Sequence, residues 1–324
     1  MAKISIIGTG AYGSALANVL AKNNHQIYMY GIDINEIEDI NINKRNSKFF
    51  DQEFKYKNIQ ASNNLKEVIF GAKIVILATP SHVIESVLKQ IDQVATQKIN
   101  LINTSKGIEC SSSKPLSQCI EKSFKNLNNL ATLIGPSFAK ELFEEKLSII
   151  NIVGKNETFL KEVKQIFDND SLKLNISLFE EGLQYYAALK NVLAIGMGII
   201  HHLYNSTNTS SAIFTIGFKE IFQIVKAIDK KINPEIIFEM AALGDTYLTS
   251  SSVKSRNFSF GISIAKEGSV NIPAQNQITL EGYLNARLIK EIIQKYDINI
   301  PLFTSIYNIL YNNKQVNKIL DFLN

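Results

Sequence analysis

Three glycines near the amino terminus have the spacing of a phosphate-binding turn. Gly8, Gly10 and Gly13 form the pattern G-x-G-x-x-G, directly after the apolar run Lys3–Ile7 and at the start of a helical pattern. In such a loop the first glycine permits a tight turn, the second lets a pyrophosphate approach the backbone, and the third lets helix and strand pack closely. The helix amino terminus then offers free N–H groups and a favourable dipole to an anion. The pattern therefore predicts a dinucleotide-binding loop.

An acidic residue follows the loop where the same interpretation requires one. Asp33 lies about 20 residues beyond Gly13, at the end of the next apolar run, where a carboxylate can accept hydrogen bonds from an adenosine ribose. The alternative is that the glycines only shape a turn in a flavodoxin-like or methyltransferase-like sheet. That alternative leaves Asp33 without a role.

A lysine in an apolar helical segment is a candidate acid or base. Lys190 precedes Asn191 in a stretch that is otherwise apolar, and a buried amine needs a partner or a function. A lysine takes up a proton in catalysis only if its pKa falls, which burial or a neighbouring cation accomplishes. The alternative, which the residues taken alone favour, is a lysine on a helix flank that extends its ammonium to solvent.

The first half of the chain carries the pattern of a parallel sheet. Short apolar runs alternate with helical patterns such as Ala11–Lys22, as they do in βαβ units. The runs are nearly continuous in apolar residues, as expected for strands buried on both faces. The predicted strands are Lys3–Ile7, Ile27–Tyr30, Ile74–Ala78, Asn100–Asn103, Thr132–Ile134 and Ser148–Val153, with a last strand or edge hairpin near Leu172–Leu178.

The second half has the period of helices from Glu180 onward. The predicted helices are Leu183–Tyr204, Thr215–Ile228, Glu235–Leu243, Ser259–Lys266, Glu281–Lys295 and Pro301–Asn312. The fold class predicted is therefore α/β, with a Rossmann-type parallel sheet domain over residues 1–180 and an all-α carboxy-terminal domain over residues 181–324.

Composition excludes several classes of partner. The chain has 34 Lys plus Arg and 30 Asp plus Glu, a balance too mild to indicate a nucleic acid or an acidic membrane surface. The amino terminus has no basic region or cleavage site typical of a signal peptide, and the longest apolar span, Val192–Ile200, is about half of what a bilayer needs. We therefore expect a cytoplasmic protein without membrane insertion, and the sequence leaves a homodimer open.

Neither the cysteines nor the histidines form a metal-binding pattern. Cys110 and Cys119 are not a C-x-x-C pair and are read as reduced thiols. His201 and His202 are adjacent, so they lack the i, i+4 geometry of a helical metal pair. No metal is predicted.

An ordered set of segments resembles the bacterial form of the NAD(P)-dependent glycerol-3-phosphate dehydrogenase family. After the glycine loop come Ser105-Lys106-Gly107-Ile108-Glu109, Gly135-Pro136-Ser137-Phe138-Ala139-x-Glu141, Leu189-Lys190-Asn191-Val192-x-Ala194-Ile195, Gly244-Asp245-x-x-Leu248-Thr249, and Ser255-Arg256-Asn257 followed by Phe260-Gly261. The resemblance implies that the chain interconverts dihydroxyacetone phosphate and sn-glycerol 3-phosphate with a nicotinamide cofactor, for glycerophospholipid synthesis.

The same resemblance implies three catalytic residues. Lys190 matches the family's proton acceptor, and Lys106 matches a second lysine at the substrate. Asp245 matches a substrate-site aspartate that would orient Lys190. The alternative for Asp245 is a helix-capping role after Gly244, and the two roles can coexist.

The binding residues also follow from the resemblance. The cofactor set is Gly8, Gly10, Ala11, Tyr12, Gly13, Asp33, Lys106, Ala139, Arg256 and Glu281, and the substrate set is Lys106, Gly135, Ser137, Lys190, Asn191, Asp245, Thr249, Ser255, Arg256 and Asn257. Arg256 is expected to clamp the substrate phosphate, because a planar guanidinium can grip a phosphate through two parallel hydrogen bonds. Gly135-Pro136-Ser137 is equally a good helix start, and Glu281 equally a first-turn helix glutamate.

Three positions depart from the family pattern. Ala11-Tyr12 stands where the family usually has Ser-Trp, Leu147-Ser148 where it has Pro-Thr, and Ile216 where an Arg normally precedes Gly-Leu or Gly-Phe. These departures put local packing, regulation or rate in doubt, while the substrate-contacting segments are intact.

The residues after the second strand bear on the choice of cofactor. Relatives that use NADPH typically place an arginine in this turn, where it can hold the 2′-phosphate. Here no Lys or Arg occurs between Lys22 and Lys44, and Asp33 would repel a phosphate. The sequence predicts a preference for NAD(H), with NADP(H) as the second cofactor. The alternative is that Asp33 points into solvent and that Lys44 or Lys48 sets the selectivity.

Two other functions compete with this assignment. A related two-domain dehydrogenase could act on a 3-hydroxy acid or a sugar acid phosphate, but such enzymes lack the Ser255-Arg256-Asn257 segment after a Gly-Asp loop. A Rossmann-type redox sensor or transcriptional regulator would need a basic DNA-reading element. The carboxy-terminal half is near neutral and shows no such element.

Overall fold

The computed structural model describes residues 1–105, 108–109, 114–271 and 280–324. The chain divides into two units, one formed by Met1–Lys106 with Leu116–Glu180, the other by Gly107–Pro115 with Glu181–Asn324. The predicted boundary at residue 180 places Gly107–Pro115 in the first domain instead. Of this stretch the structure describes a short antiparallel hairpin, Ile108–Glu109 paired with Lys114–Pro115.

The first unit is built on an eight-stranded sheet. Counting the hairpin strands as β6 and β7, its strands are β1 Lys3–Ile7, β2 Gln26–Tyr30, β3 Ile59–Ser62, β4 Ile74–Leu77, β5 Ile99–Asn103, β8 Leu127–Ile134, β9 Ser148–Val153 and β10 Leu172–Ser177. Their order across the sheet is β10-β9-β8-β5-β4-β1-β2-β3. The chain therefore reverses its direction of travel across the sheet between β1 and β4, which is where dinucleotides bind in doubly wound folds.

The sheet is mostly parallel, with one reversal that the sequence analysis does not predict. β9 pairs antiparallel with β8, and β10 pairs parallel with β9, so the last two strands run opposite to the other six. A continuous apolar run such as Ser148–Val153 predicts burial on both faces but carries no information on strand direction.

The core lies on both faces of this sheet. Alternate residues of a strand point to opposite faces, and accordingly Ile4 and Ile6 pack in one apolar cluster while Ile7 packs in the other. Helices cover the two faces, as they do in α/β folds. They are α1 Ala11–Ala21, α2 Ile34–Glu38, α3 Leu65–Ile69, α4 Ile84–Val94, α5 Leu116–Ser123, α6 Ala139–Phe143 and α7 Glu157–Phe167.

The described part of the second unit is helical apart from the hairpin, as predicted. Its helices are α8 Glu180–Tyr204, α9 Thr207–Ile228, α10 Asp245–Ser250, α11 Arg256–Glu267, α12 Glu281–Asn285, α13 Arg287–Tyr296 and α14 Pro301–Tyr311. Helix α8 is long and apolar enough to cross a membrane, but its most apolar window is 100% buried inside the protein. It is therefore the core helix of this unit.

Two predicted helices of the second unit differ in the structure. Residues 235–243, predicted as one helix, form a 3₁₀ turn over Pro234–Phe238 and a π turn over Met240–Gly244. Glu239 between them is extended, with φ −68° and ψ 149°, so helical hydrogen bonding cannot continue through it. Residues 281–295 form two helices, α12 and α13, rather than one.

Candidate functional site

The glycine loop lies at the point where the chain changes direction across the sheet. Gly8 follows β1 with φ +123°, and a Cβ there would lie 2.6 Å from the carbonyl oxygen of Ala78, just after β4. At Gly13 a Cβ would lie 2.3 Å from the carbonyl oxygen of Gly8. Both positions therefore require glycine, the first for its backbone conformation and the second for close packing of α1 on the loop.

Gly10 has the opposite environment, as a ligand-facing glycine should. A Cβ at Gly10 would meet no atom within 4 Å, so the space in front of this residue is open. Gly10 also precedes α1 without any side-chain cap, and the first turn of α1 contains no acidic residue. The first N–H groups of the helix can therefore serve an anion, and the loop fits the pyrophosphate of a dinucleotide.

The carboxylate predicted to bind ribose has neighbours that the sequence analysis does not predict. Asp33 caps α2 by accepting a hydrogen bond from the backbone N–H of Asn35 at 3.0 Å. Three residues later, Glu36 accepts hydrogen bonds from the Thr9 hydroxyl at 2.5 Å and from the Lys48 ammonium at 2.6 Å. The same ammonium lies 3.4 Å from Asp33. Two carboxylates and one lysine thus stand together at the end of β2.

The charge at Asp33 is consequently stabilised. Partial desolvation alone would raise the pKa of Asp33, but the backbone N–H groups of Asn35 and Glu36 and the ammonium of Lys48 lower it below its ordinary value. Its side chain remains 39% exposed. Asp33 is therefore an accessible anion beside a cation, which differs from the expectation of a turn that offers only negative charge. Lys44, the other lysine considered, bonds the carbonyl of Asn41 instead.

Gly135, Ser137 and Ala139 follow β8 and lead into α6. Gly135 has φ +150°, and a Cβ there would lie 2.9 Å from Cβ of Ile150 on β9. Ser137 Oγ donates to the Gly135 carbonyl oxygen at 3.2 Å and lies 3.1 Å from the hydroxyl of Tyr12 on α1. Ala139 is the first residue of α6. The structure thus brings two predicted substrate residues next to the predicted cofactor residue Tyr12.

Lys190 lies inside the second unit, buried on α8. Its ammonium is 2.7 Å from a carboxylate oxygen of Asp245, and the two side chains are 3% and 2% exposed. It also donates to Thr249 Oγ1 at 2.8 Å. The Thr249 hydroxyl donates its one proton to the Asp245 carbonyl oxygen at 2.6 Å. It can therefore only accept a hydrogen bond from Lys190. The flank interpretation of Lys190 is therefore wrong.

Local structure explains how Asp245 and Thr249 meet the same lysine. The π turn Met240–Gly244 leads directly into α10, where Asp245 is the first residue and Thr249 lies one helical turn later. Residues at i and i+4 share one face of a helix. One short helix therefore presents a carboxylate and a hydroxyl side by side to α8.

Asn191 and Asn257 are tied to the start of α12. The Asn191 amide donates to the Glu281 carboxylate at 3.1 Å, and Asn257 Oδ1 accepts the backbone N–H of Gly282 at 3.1 Å. A Cβ at Gly282 would lie 2.4 Å from the Asn191 carbonyl oxygen. Glu281, predicted as a cofactor contact, thus stands beside a predicted substrate residue. Gly282 is a residue that the sequence analysis does not single out.

Arg256 is the predicted phosphate clamp, and it begins α11. Its side chain is exposed and makes no hydrogen bond or ion pair with any described residue. Ser255 caps the same helix by accepting the backbone N–H of Phe258 at 3.4 Å. The predicted substrate set therefore includes one guanidinium that is available to an anion, next to an ordered helix start.

Some predicted residues lie elsewhere. Lys106 and Cys110 fall outside the described residues, Cys119 lies on α5, and His201 and His202 are exposed at the end of α8. Within the described ranges no group of three or more His, Cys, Asp or Glu could hold a metal ion. Glu36 is missed although the sequence contains a signal, because Asp33-x-x-Glu36 has the spacing of a capping box.

Two models of one protein family together match almost the whole chain. The family model for the NAD-dependent glycerol-3-phosphate dehydrogenase N-terminus matches residues 3–160, and the model for the C-terminus of the same family matches residues 180–321. The chain is 39% identical over 313 residues to glycerol-3-phosphate dehydrogenase (NAD(P)+) of Malacoplasma penetrans, with 95% of this chain and 92% of the relative covered. The corresponding protein of Mesoplasma florum is 38% identical over 314 residues, with 96% and 93% covered.

A solved structure has the same fold. The crystal structure of glycerol-3-phosphate dehydrogenase from Coxiella burnetii superimposes with a TM-score of 0.87 at 23% identity, covering 99% of this chain and 98% of the other. At that identity the likeness bears on the fold alone. It confirms the predicted fold class.

Proposed function

The chain belongs to the NAD-dependent glycerol-3-phosphate dehydrogenase family, and we propose that the buried pair of Lys190 and Asp245 is the acid–base centre of its reaction. It is an NAD(P)-dependent oxidoreductase that interconverts dihydroxyacetone phosphate and glycerol 3-phosphate. The 2.7 Å contact between Lys190 and Asp245 carries the proposal. Burying an ammonium and a carboxylate together costs desolvation free energy. Such a pair is therefore expected where it has a catalytic or a structural role.

The chemistry of the pair follows from its hydrogen bonds. The bound nicotinamide supplies or accepts the hydride. In the reductive direction the Lys190 ammonium donates a proton to the substrate oxygen as negative charge develops there, and in the oxidative direction the neutral amine takes the hydroxyl proton. Asp245 and Thr249 fix the direction of Nζ, and Asp245 stabilises the ammonium that forms. The pair can therefore serve both directions of the reaction.

The phosphate of the substrate is assigned to Arg256 and Asn257. Arg256 is exposed and makes no ion pair within the described chain, whereas Asn257 is held in place by the N–H of Gly282. A guanidinium without a protein partner can give both of its parallel N–H donors to a phosphate. Lys106 remains a proposal from the resemblance alone.

The cofactor is assigned to the first unit. The open space at Gly10 and the uncapped start of α1 fit a pyrophosphate, and Asp33 is accessible to a ribose. We propose a preference for NADH over NADPH, because the carboxylates of Asp33 and Glu36 outweigh the one ammonium of Lys48 at the end of β2, so that a bound 2′-phosphate would meet net negative charge there. The positive charge of Lys48 should keep the preference for NADH over NADPH small, because it attracts a 2′-phosphate.

The proposed function also includes a cellular role and a location. A supply of glycerol 3-phosphate to glycerophospholipid synthesis in the cytoplasm is the role we propose, following the resemblance to the bacterial enzymes. Its structural support is that α8, the one helix among the described residues that is long and apolar enough to cross a membrane, is buried as a core helix. The alternative substrate classes, 3-hydroxy acids and sugar acid phosphates, have no support from the two family models that match the chain.

Replacing the proposed base tests the assignment. Lys190→Ala should lower turnover with dihydroxyacetone phosphate by about two orders of magnitude or more, the usual scale for losing a positioned acid or base, while NADH binding measured by fluorescence stays close to wild type. Lys314→Ala is the matched control, since it removes another lysine of the second unit that donates to a serine hydroxyl. A folded Lys190→Ala protein with the turnover of the control would eliminate the assignment.

A further inference from the structure

Ser137 takes part in a chain of hydrogen bonds whose direction can be deduced. A serine hydroxyl has one proton and two acceptor positions. Ser137 Oγ donates to the Gly135 carbonyl oxygen at 3.2 Å, a group that can only accept. The hydroxyl of Tyr12, 3.1 Å away, must then be the donor in its contact with Ser137 Oγ. The order of donation is therefore Tyr12 to Ser137 to Gly135.

Both partners of Ser137 lie beside packed elements of the first unit. Gly135 follows β8 with φ +150°, so close to β9 that a Cβ on it would lie 2.9 Å from the Cβ of Ile150. Tyr12 lies in the first turn of α1, and its ring is half-buried against the apolar cluster that also contacts Ala139. The Ser137 hydroxyl consequently keeps one orientation, with its proton used and one acceptor position not taken by either partner.

We propose that Tyr12 is a positioning residue that presents Ser137 as a hydrogen-bond acceptor to the free hydroxyl group of the substrate. The inference rests on the proposed function and on the resemblance, which implies that Ser137 contacts the substrate. A hydroxyl acceptor can bind the CH₂OH group of dihydroxyacetone phosphate, which is a donor, but it cannot donate to a carbonyl oxygen. Ser137 is thereby assigned to recognition of the terminal hydroxyl, and Tyr12 determines specificity through it.

Hydroxyacetone phosphate is the probe that isolates this contact. It has the carbonyl and the phosphate of dihydroxyacetone phosphate but a methyl group in place of the terminal CH₂OH. A site that binds a hydroxyl discriminates strongly against an analogue that lacks it, because its polar group is left unpaired. The quantity to measure is the ratio of kcat/KM for dihydroxyacetone phosphate to kcat/KM for hydroxyacetone phosphate.

Tyr12→Phe keeps the ring and removes the donor, so Ser137 retains only its hydrogen bond to the Gly135 carbonyl oxygen and its orientation is less restricted. We expect the ratio to fall about tenfold, the scale of one hydrogen bond to an unpaired polar group. The fall should come from dihydroxyacetone phosphate, while hydroxyacetone phosphate is turned over as by wild type. In a Ser137→Ala background, Tyr12→Phe should have no further effect on the ratio, because the residue through which it acts is gone.

Tyr56→Phe is the matched control. It also removes a tyrosine hydroxyl that is hydrogen-bonded in the first unit, in this case to Glu145, and it should leave the ratio unchanged. An unchanged ratio in folded Tyr12→Phe, an equal change in Tyr56→Phe, or additive effects with Ser137→Ala would each overturn the inference. If wild type itself does not turn over dihydroxyacetone phosphate, the proposed function fails instead.

Discussion

Lys190 and Asp33 show how much of a residue's role depends on partners that are distant in sequence. The apolar surroundings of Lys190 predict that it is unusual, but Thr249, which accepts a hydrogen bond from it, lies 59 residues further along the chain. Asp33 follows the glycine loop at a recognisable distance, yet its cation, Lys48, comes 15 residues later on a loop. Motif spacing therefore predicts which residues act, whereas tertiary contacts decide the charge that each one faces.

The environment of Asp33 predicts that two substitutions change the cofactor preference in opposite directions. Asp33→Ala should narrow the preference for NADH over NADPH, because it removes a carboxylate that repels a 2′-phosphate and leaves Lys48 in place. Lys48→Ala should widen the preference, because the negative charge of Asp33 and Glu36 would then repel a 2′-phosphate without the opposing charge of Lys48. Steady-state kcat/KM values with both cofactors at matched ionic strength are the measurement. Shifts in the same direction for both variants, or a wild type that prefers NADPH, would contradict this account of the ribose end.

At the scale of elements, Glu220 links two helices of the second unit. Its carboxylate, on α9, accepts the backbone N–H groups of Leu302 and Phe303, both at 2.9 Å, at the start of α14. Pro301 precedes them and has no N–H, and Ile300 provides no side-chain cap. A carboxylate from another helix thus caps α14. Burial raises the pKa of Glu220 to about 7, despite the two N–H donors that lower it.

This raised pKa predicts a pH dependence of stability. Because the folded-state pKa lies above the ordinary value of 4.5, the folded protein binds the proton more tightly than the unfolded chain. The stabilisation is complete below pH 4.5 and is lost as the pH rises through about 7, a total of about 3 kcal/mol. In urea unfolding, the loss of stability between about pH 5 and about pH 7.5 should be smaller in Glu220→Gln than in wild type.

The control for this measurement is Glu121→Gln, which removes a carboxylate paired with Lys155 at the surface and should keep the pH dependence of wild type. An equally steep loss of stability in Glu220→Gln would show that Glu220 is already charged throughout this range.

Elements differ in how much of them the sequence predicts, and the reasons are physical. Strand β1 is predicted to the residue because its run is mostly apolar, interrupted only by the small Ser5, and ends at a glycine. Strand β3 is missed, because at the sheet edge only Ile59 and Ala61 of its four residues are buried. Helix α9 begins eight residues earlier than predicted, at Thr207 rather than Thr215, since its polar first turns are stabilised by the Ser206 cap rather than by apolar burial.

At the scale of the whole molecule, the proposed function divides the chemistry between the two units. The glycine loop, Asp33 and Ser137 belong to the first unit, and Lys190, Asp245 and Arg256 belong to the second. The order of motifs along the chain is enough to predict the family, which the family models confirm over both parts. It is not enough to predict the supporting contacts, such as Gly282 against Asn191 and Asn257, because those join segments far apart in sequence.

We propose that this chain reduces dihydroxyacetone phosphate with NADH and recognises the substrate by its phosphate. The decisive measurement follows NADH oxidation by the purified protein with dihydroxyacetone phosphate and, separately, with dihydroxyacetone. We predict turnover with the phosphate ester and a kcat/KM at least about a hundredfold lower with dihydroxyacetone, because Arg256 and Asn257 then have no anion to bind. Absence of oxidation with dihydroxyacetone phosphate, or equal kcat/KM for the two compounds, would contradict the account.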